Sequence, residues 1–294
     1  MINCAIYLGG GRKKELFISS PVLVASGALG YGQFDVEALR RGQIGALITP
    51  PLTWKPRSEA SQPRLARTVA GYVIHTGRRN PGLRATVRRY SRLWEGAGVP
   101  IIAAIYGQTS DDFAEMAAFL TTAECVQGIE LHLPHRMEEE QARRCVEAAL
   151  AEVAMPCMVR VPFEQAMSFA LASAEAGADA LVVAAPPLGR ALSDDSTWIY
   201  GPLHSPALAP IYAQLVYEIA AATEIPVIGR GGIAEPRHAL ALIAAGAVAI
   251  QVDSILLMNP NACADLYLGL EREMARLGLS TWEEMLGQQR LSAH

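Results

Sequence analysis

The chain has 294 residues, of which 51% are hydrophobic, 18% charged and 6% aromatic, and its formal net charge is −4. That balance excludes a global attraction to nucleic acid or to an anionic membrane surface. No apolar run reaches the roughly 18 residues of a membrane helix, and Met1–Leu8 runs straight into Gly9-Gly10-Gly11 without the layout of a secretory signal, so a cytoplasmic protein is expected.

The first segments, Ile2–Tyr7 and Glu15–Ile18, flank a glycine-rich turn and read as a hairpin capping the bottom of the domain. Eight short apolar runs come next: Val22–Ser26, Ala46–Thr49, Ile101–Ile105, Ile129–Leu133, Met158–Val161, Ala180–Ala184, Val227–Gly229 and Ala249–Val252. Each is bounded by Gly, Pro or a polar residue, which is how a strand buried on both faces reads. Helical periodicity is present in Asp111–Thr121, Glu138–Val153, Ala166–Ala176, Leu208–Thr223, Pro236–Ala245 and Cys263–Leu277. The phrases AGVP (97–100), AMPC (154–157) and EIPV (224–227) each end a helix and open a strand. EAGADALVV (175–183) and AAGAVAIQV (244–252) are near-copies of one helix-to-strand joint. This alternation predicts a single α/β domain, a (β/α)8 TIM barrel over 1–294, with its functional pocket at the C-terminal ends of the strands. The connections 50–81 and 186–206 are long and are expected to act as lids or binding loops.

Five scattered cysteines, Cys4, Cys125, Cys145, Cys157 and Cys263, form no CxxC pair and no spacing that would ligate a metal, so reduced core thiols are expected. Gly229-Arg230-Gly231-Gly232-Ile233 after the seventh strand fits either a phosphate-binding turn or a plain tight turn. Asp253, ending the eighth strand, brings a carboxylate to the same corner, which is unfavourable for a phosphate. Ala25-Ser26-Gly27 after the first strand is small enough for a flat ring to lie against its backbone. Between residues 50 and 98 ten Lys and Arg stand against Glu59 and Glu95. This is either a solvated face or the approach for a small anion or an acidic protein partner; without interleaved aromatic residues it does not read as a nucleic-acid surface.

The phrases SPVLVASGALGYG, RRNPGL, VPIIAAIYGQTSDDF, AGADALVV, IPVIGRGGI and AAGAVAIQVDS, followed by LGLSTWEEMLG, occur in this order along almost the whole chain. Together they resemble the dihydroorotate dehydrogenase family, most closely its soluble class 1. The resemblance implies an FMN-containing homodimeric barrel that oxidises dihydroorotate to orotate. It implies cofactor contacts at Ala25, Ser26, Gly27, Arg160, Gly231, Gly232 and Ser254, substrate contacts at His75, Asn80 and His132, and a proton acceptor at His135. No iron–sulfur ligand cluster is present from which an NAD-linked partner subunit could be inferred.

The departures from the family pattern concentrate on the ligands of orotate. Pro50 stands where the family's second strand carries a lysine. Ile74 replaces the first asparagine of its N-x-x-G-L-x-N-P-G phrase, although Gly77, Asn80, Pro81 and Gly82 remain. LHLPHR (131–136) replaces L-N-I-S-C-P-N, with His132 at the asparagine and His135 at the catalytic cysteine. Arg160 replaces a flavin-binding lysine, Ala185-Pro186 an Asn-Thr pair, His204-Ser205-Pro206 the S-G-P phrase, and Asp253-Ser254 the Gly-Thr of V-G-T. Ordinary dihydroorotate oxidation is therefore not expected, and an altered small anionic substrate is. His135 is either a general base or a solvated loop residue, and His132 either functional or a satisfied structural histidine. The second reading of the chain is a non-catalytic barrel that binds a ligand or partner.

Overall fold

The computed structural model describes residues 6–8, 15–33 and 41–292. Strands β3 (Val22–Val24), β4 (Ala46–Ile48), β7 (Ile101–Ile105), β8 (Gly128–His132), β9 (Cys157–Arg160), β10 (Ala180–Val183), β13 (Val227–Arg230) and β14 (Ala249–Val252) close into a barrel. All eight of its ladders are parallel. The eight apolar runs are thus its eight strands, and the (β/α)8 expectation holds. The strands read as unbroken apolar runs because one face packs on the barrel interior and the other on helices.

Helices follow the strands: α1 (Leu83–Glu95), α2 (Ser110–Thr121), α3 (Glu139–Glu152), α4 (Ala166–Glu175), α5 (Ala209–Ala222), α6 (Pro236–Ala244), α7 (Ala262–Leu277) and α8 (Trp282–Ser292). Six of them match the helical runs read from periodicity. The other two lie outside those runs: α1 buries a stripe of Leu83, Tyr90 and Trp94 set among arginines, and α8 is short and largely polar. The start of α2 shows local sequence at work: Thr109 caps the Asp112 amide while the Asp112 carboxylate accepts from the Thr109 amide. At the far end of α7, Gly278 takes the left-handed conformation that closes the helix.

Side chains alternate across each strand. The lower interior layer contains Leu23, Ala46, Ile102, Met158, Ala180, Ile228 and Ala249. It is sealed by Leu8, Leu16 and Ile18. These come from the hairpin β1 (Ile6–Leu8) and β2 (Leu16–Ile18), which pair antiparallel. The capping hairpin is thus present, and the rest of its expected first arm and turn lies outside the described residues, as does Cys4. Cys125, Cys145 and Cys263 are buried thiols. No helix among the described residues is long and apolar enough to cross a membrane.

The two long connections are not the plain loops that their composition suggests. Hairpin β5 (Leu65–Thr68)–β6 (Gly71–Ile74) and hairpin β11 (Leu188–Leu192)–β12 (Trp198–His204) join in one four-stranded sheet, ordered β11-β12-β6-β5. The hairpins meet where Leu203 pairs with Val73 and His204 with Tyr72. Gly71 is required at that crossing, since a Cβ there would run into the His204 carbonyl. These strands are short and half-exposed, and glycine and proline interrupt them, so neither hairpin carries a strong strand pattern alone.

Candidate active site

The upper interior layer of the barrel is polar. Glu130 and His132 project from β8, Arg160 from β9 and Arg230 from β13. Gln251 comes from β14, and Asp253 lies just beyond it. Register places His132 beside Arg160 and Arg230 beside Gln251. Glu130 and Gln251 are fully buried, His132 is 1% exposed, Arg230 3% and Asp253 7%. Burying so many charges is unfavourable unless they are paired and hydrogen-bonded.

The pairing falls into two groups. In the first, His132 Nε2 lies 2.5 Å from Glu130 Oε1, and Gln251 Nε2 donates to Glu130 Oε2 at 2.6 Å. Burial, together with the Arg160 charge, pushes His132 below its ordinary pKa, so the ring is neutral. Burial opposes the Glu130 charge, but the His132 hydrogen bond and the neighbouring Arg160 outweigh it and hold the carboxyl below its usual range. The neutral ring therefore gives its Nε2 proton to Glu130, and Nδ1 is left as a buried acceptor without a hydrogen-bond partner. In the second group, Arg230 Nη2 approaches Asp253 Oδ2 at 3.1 Å and His204 Nδ1 approaches the same oxygen at 3.4 Å. Both are ion-pair approaches rather than aligned hydrogen bonds. The other oxygen of Asp253 caps the Ser254 amide and accepts from the Ser254 hydroxyl. Burial would raise the Asp253 pKa, but the Arg230 charge and His204 hold it well below the carboxylate range. The Nε of Arg160 and the Nε and Nη1 of Arg230 are buried donors with no hydrogen-bond partner.

This corrects the expectation for Asp253. Its charge does not face an incoming phosphate unopposed, because Arg230 balances it. His204 comes from the sheet, so its approach to Asp253 also docks the sheet onto the barrel mouth. Tyr72 stacks on the His204 ring at 5.3 Å and 26°. Burial and the nearby Asp253 charge push the Tyr72 phenol up to about 12.

A cavity of about 630 Å³ opens between the sheet and the loops after β13 and β14. Arg67, Tyr72 and His204 line it from the sheet. Ser205 and Pro206 close the side towards α5, and Gly232, Ile233, Ser254 and Ile255 form the barrel side, with Leu257 and Met258 at the rim. Its volume is that of a small-ligand pocket. Gly231 and Gly232 have φ of +97° and +67°. A Cβ on Gly231 would enter the Tyr212 ring, and one on Gly232 would strike the Ala209 backbone. These glycines are thus demanded by packing under α5 as well as by any ligand.

Of the residues singled out from sequence, Gly232 and Ser254 line this cavity, and Gly231 adjoins it. Ala25, Ser26 and Gly27 follow β3, the barrel neighbour of β14, and the Ala25 amide donates to the Val252 carbonyl at 2.9 Å. There the Ser26 hydroxyl donates to the Thr49 carbonyl at 2.7 Å, and Gly27 packs on Pro50. The lining of this cavity does not include Ala25, Ser26 or Gly27. Asn80 is 3% exposed. Its Oδ1 accepts from the Gly82 amide at 2.9 Å and its Nδ2 donates to the Arg78 carbonyl at 2.9 Å and to Thr53 Oγ1 at 3.1 Å, so its hydrogen bonds are spent inside its own loop. His75 is exposed just past the end of β6.

His135 stands on the loop after β8 with its side chain 18% exposed, and its Nδ1 lies 3.2 Å from Glu164 Oε2. Burial, with Arg160 and Arg78, pushes its pKa down, and Glu164 partly restores it; the ring is neutral at pH 7. Arg78 has φ of 54° and lays its guanidinium over the Tyr106 ring at 4.0 Å. Several other cations of the basic segment are also engaged: Arg64 and Arg79 pair with Glu59, and Arg84 lies over Trp54. Among the described residues no three His, Cys, Asp or Glu side chains converge as a metal site requires. Sequence reasoning passed over Glu130, Gln251 and Glu164. The available signal was Glu130, a carboxylate two residues before His132 in an otherwise apolar strand.

A barrel whose mouth carries buried ionic pairs, a neutral rim histidine and an adjoining cavity defines an enzyme-like (β/α)8 scaffold. The profile of the dihydroorotate dehydrogenase family matches residues 14–274, and the chain belongs to that family. The catalytic subunit of dihydroorotate dehydrogenase B (NAD(+)) from Petrotoga mobilis is 32% identical over 98% of this chain and 99% of its own length. The corresponding subunit from Desulforudis audaxviator is 30% identical, over 92% and 94%. The crystal structure of the dihydroorotate dehydrogenase of Eimeria tenella in complex with ferulenol superposes with a TM-score of 0.79 at 16% identity. It covers 96% of this chain and 87% of that one, and it supports the fold alone.

Proposed function

We propose that the chain is a flavin-dependent oxidoreductase of the dihydroorotate dehydrogenase family that acts on a small anionic substrate other than dihydroorotate. The observation that carries this reading is the set of unpartnered buried donors on Arg160 and Arg230, beside the neutral rim base His135. Buried cationic donors without a partner are unfavourable, and an anion satisfies them. Family membership, and relatives named as catalytic subunits, favour an enzyme over a barrel kept only for binding.

The residues present suit FMN. The cavity offers the Arg67 guanidinium and the Gly232 turn towards a phosphate monoester, with Tyr72 and apolar walls alongside; the Ser205 and Ser254 hydroxyls at the same wall donate to the Ala70 carbonyl and to Asp253 and would have to turn to reach it. When bound, the flavin supplies the two-electron acceptor. The protein's own part is positional and protolytic. Arg160 and Arg230 hold the substrate's negative charge, and the sheet, docked by His204 on Asp253, keeps water from the mouth. His135 takes the proton at Nε2, because its Nδ1 faces Glu164. A pyrimidine substrate needs both donors and acceptors around its amides. At the positions where the family pattern places amide and lysine ligands, the Asn80 amide is spent and Pro50, Ile74 and Ala185 are apolar, which favours a different small acid.

The test is to titrate the purified protein with FMN and then mix the complex anaerobically with dihydroorotate and with a panel of small mono- and dicarboxylic acids. Bound flavin that an acid bleaches and dihydroorotate does not is the expected result. A protein that ignores FMN overturns the reading. The proposal also carries a homodimer in solution, and a monomer mass by light scattering overturns that part.

A further inference from the structure

Glu164 lies in the single 3-10 turn Phe163–Gln165 that follows β9, and both of its carboxylate oxygens are engaged. Oε2 lies 3.2 Å from His135 Nδ1, and Oε1 accepts the Leu188 amide at 2.9 Å. Leu188 is the first residue of β11, so one carboxylate is tied at once to the rim histidine and to the sheet that covers the mouth. The next residue tightens the same joint. Gln165 Oε1 accepts the Arg136 amide at 2.9 Å, and its Nε2 donates to the Met137 carbonyl at 3.0 Å. Arg136 itself sits at φ 64°, a conformation that a non-glycine residue adopts when its surroundings hold it there. The loop carrying His135 is therefore gripped by the turn after β9, and His135 meets Glu164 with one defined nitrogen.

We infer that Glu164 is a positioning residue: it fixes His135 as the Nδ1–H tautomer, so that Nε2 is the atom open to a proton, and it stabilises the imidazolium that forms. A neutral imidazole has one donor and one acceptor nitrogen, and a carboxylate can only accept. With Glu164 on Nδ1, the donor is assigned to that side. During the oxidation the substrate proton passes to Nε2 of His135. The pair left on that carbon becomes the carbon–carbon double bond as the neighbouring carbon loses a hydride, for which a bound flavin would supply the two-electron acceptor. The charged groups facing His135 are Glu164, Arg160 and Arg78. The two arginines disfavour the imidazolium, and only the carboxylate favours it. The inference rests on His135 as the proton acceptor of the proposed function.

The experiment is nitrogen-15 NMR of the histidine side chains in the full-length protein. His135→Ala assigns the His135 signals, and wild type, Glu164→Gln and Glu164→Asp are titrated in parallel. The expected wild-type spectrum is a neutral His135 protonated at Nδ1. In Glu164→Gln, which keeps a carbonyl oxygen for the Leu188 amide, that preference is lost and the protonation constant falls about 10-fold. Glu164→Asp recovers part of both. A wild-type His135 protonated at Nε2, or a Glu164→Gln protein whose His135 titrates like wild type, overturns the inference. The proton-acceptor reading falls on a different measurement, the flavin reduction rate of His135→Ala, so the two failures are distinguishable.

Discussion

Arg230 and Asp253 meet at the ends of the adjacent strands β13 and β14, Nη2 to Oδ2 at 3.1 Å, while Asp253 also caps the Ser254 amide beside the cavity. The pair has two consequences of opposite sign. Asp253→Asn leaves the Arg230 charge buried without its counter-ion, and removing one partner of a buried pair costs about 3–5 kcal/mol of stability. The same change removes a carboxylate from the corner proposed for the phosphate. Urea denaturation is expected to record the loss. Fluorescence titration is expected to show the FMN affinity rising while riboflavin, which lacks the phosphate, gains nothing. Equal gains for the two flavins place the phosphate elsewhere.

The Glu130–His132 pair makes the barrel sensitive to acid. The folded pKa of His132 is depressed below its ordinary 6.5, so between those two values the unfolded chain binds more protons than the folded one. Stability therefore rises with pH across that window and is lost as pH falls below 6.5. The limiting slope is about 1.4 kcal/mol per pH unit for one proton. Glu130 and Asp253, also depressed, add a further loss as pH falls below the ordinary carboxylate range. Denaturation midpoints at pH 7.5 and 5.5 measure the histidine part. His132→Gln is expected to flatten that difference, and an equal slope in the variant removes His132 as its source.

Dihydroorotate is expected to be turned over at well under about 1 per second with quinone, fumarate or NAD as acceptor, below the range of ordinary enzymes. The reason is specific: a lysine and several amide ligands are absent at Pro50, Ile74, His132 and Ala185, and Asn80 is committed to Gly82, Arg78 and Thr53. A steady-state assay at ordinary enzyme rates shows this wrong.

With a substrate that does reduce the flavin, His135→Ala is expected to slow reduction by about 100-fold or more, in the range general bases contribute. Flavin affinity is expected to stay unchanged, since His135 is not among the cavity lining residues. Stopped-flow reduction measures the first and titration the second. A slowing below about threefold returns His135 to the role of a solvated rim residue.

Gly231→Ala tests the floor under the cavity. The new Cβ would overlap the Tyr212 ring at a residue with φ of +97°. Overpacking of this kind costs about 1–3 kcal/mol, and the backbone conformation adds to it. A thermal melt matching wild type means that the Tyr212 ring yields.

The sequence by itself determined the barrel. Its strands are local objects, short apolar runs between glycine, proline and polar stops, and each is readable without its neighbours. The family phrases lie on that scaffold for the same reason. Tertiary structure decided the site. Glu130 and His132 share a face by spacing alone, but Gln251, which completes their network, lies 121 residues from Glu130. The partner of His135 is 29 residues away on another strand's loop. The sheet over the mouth needs β6 and β12, drawn from connections more than a hundred residues apart, and neither is a convincing strand alone. Even the size of Asp253's effect was set from outside its own segment. A carboxylate read in isolation repels a phosphate at full charge, whereas one paired with Arg230 has most of that charge balanced before any ligand arrives. Burial and long-range pairing fix these charges, and neither is written in the residues on either side.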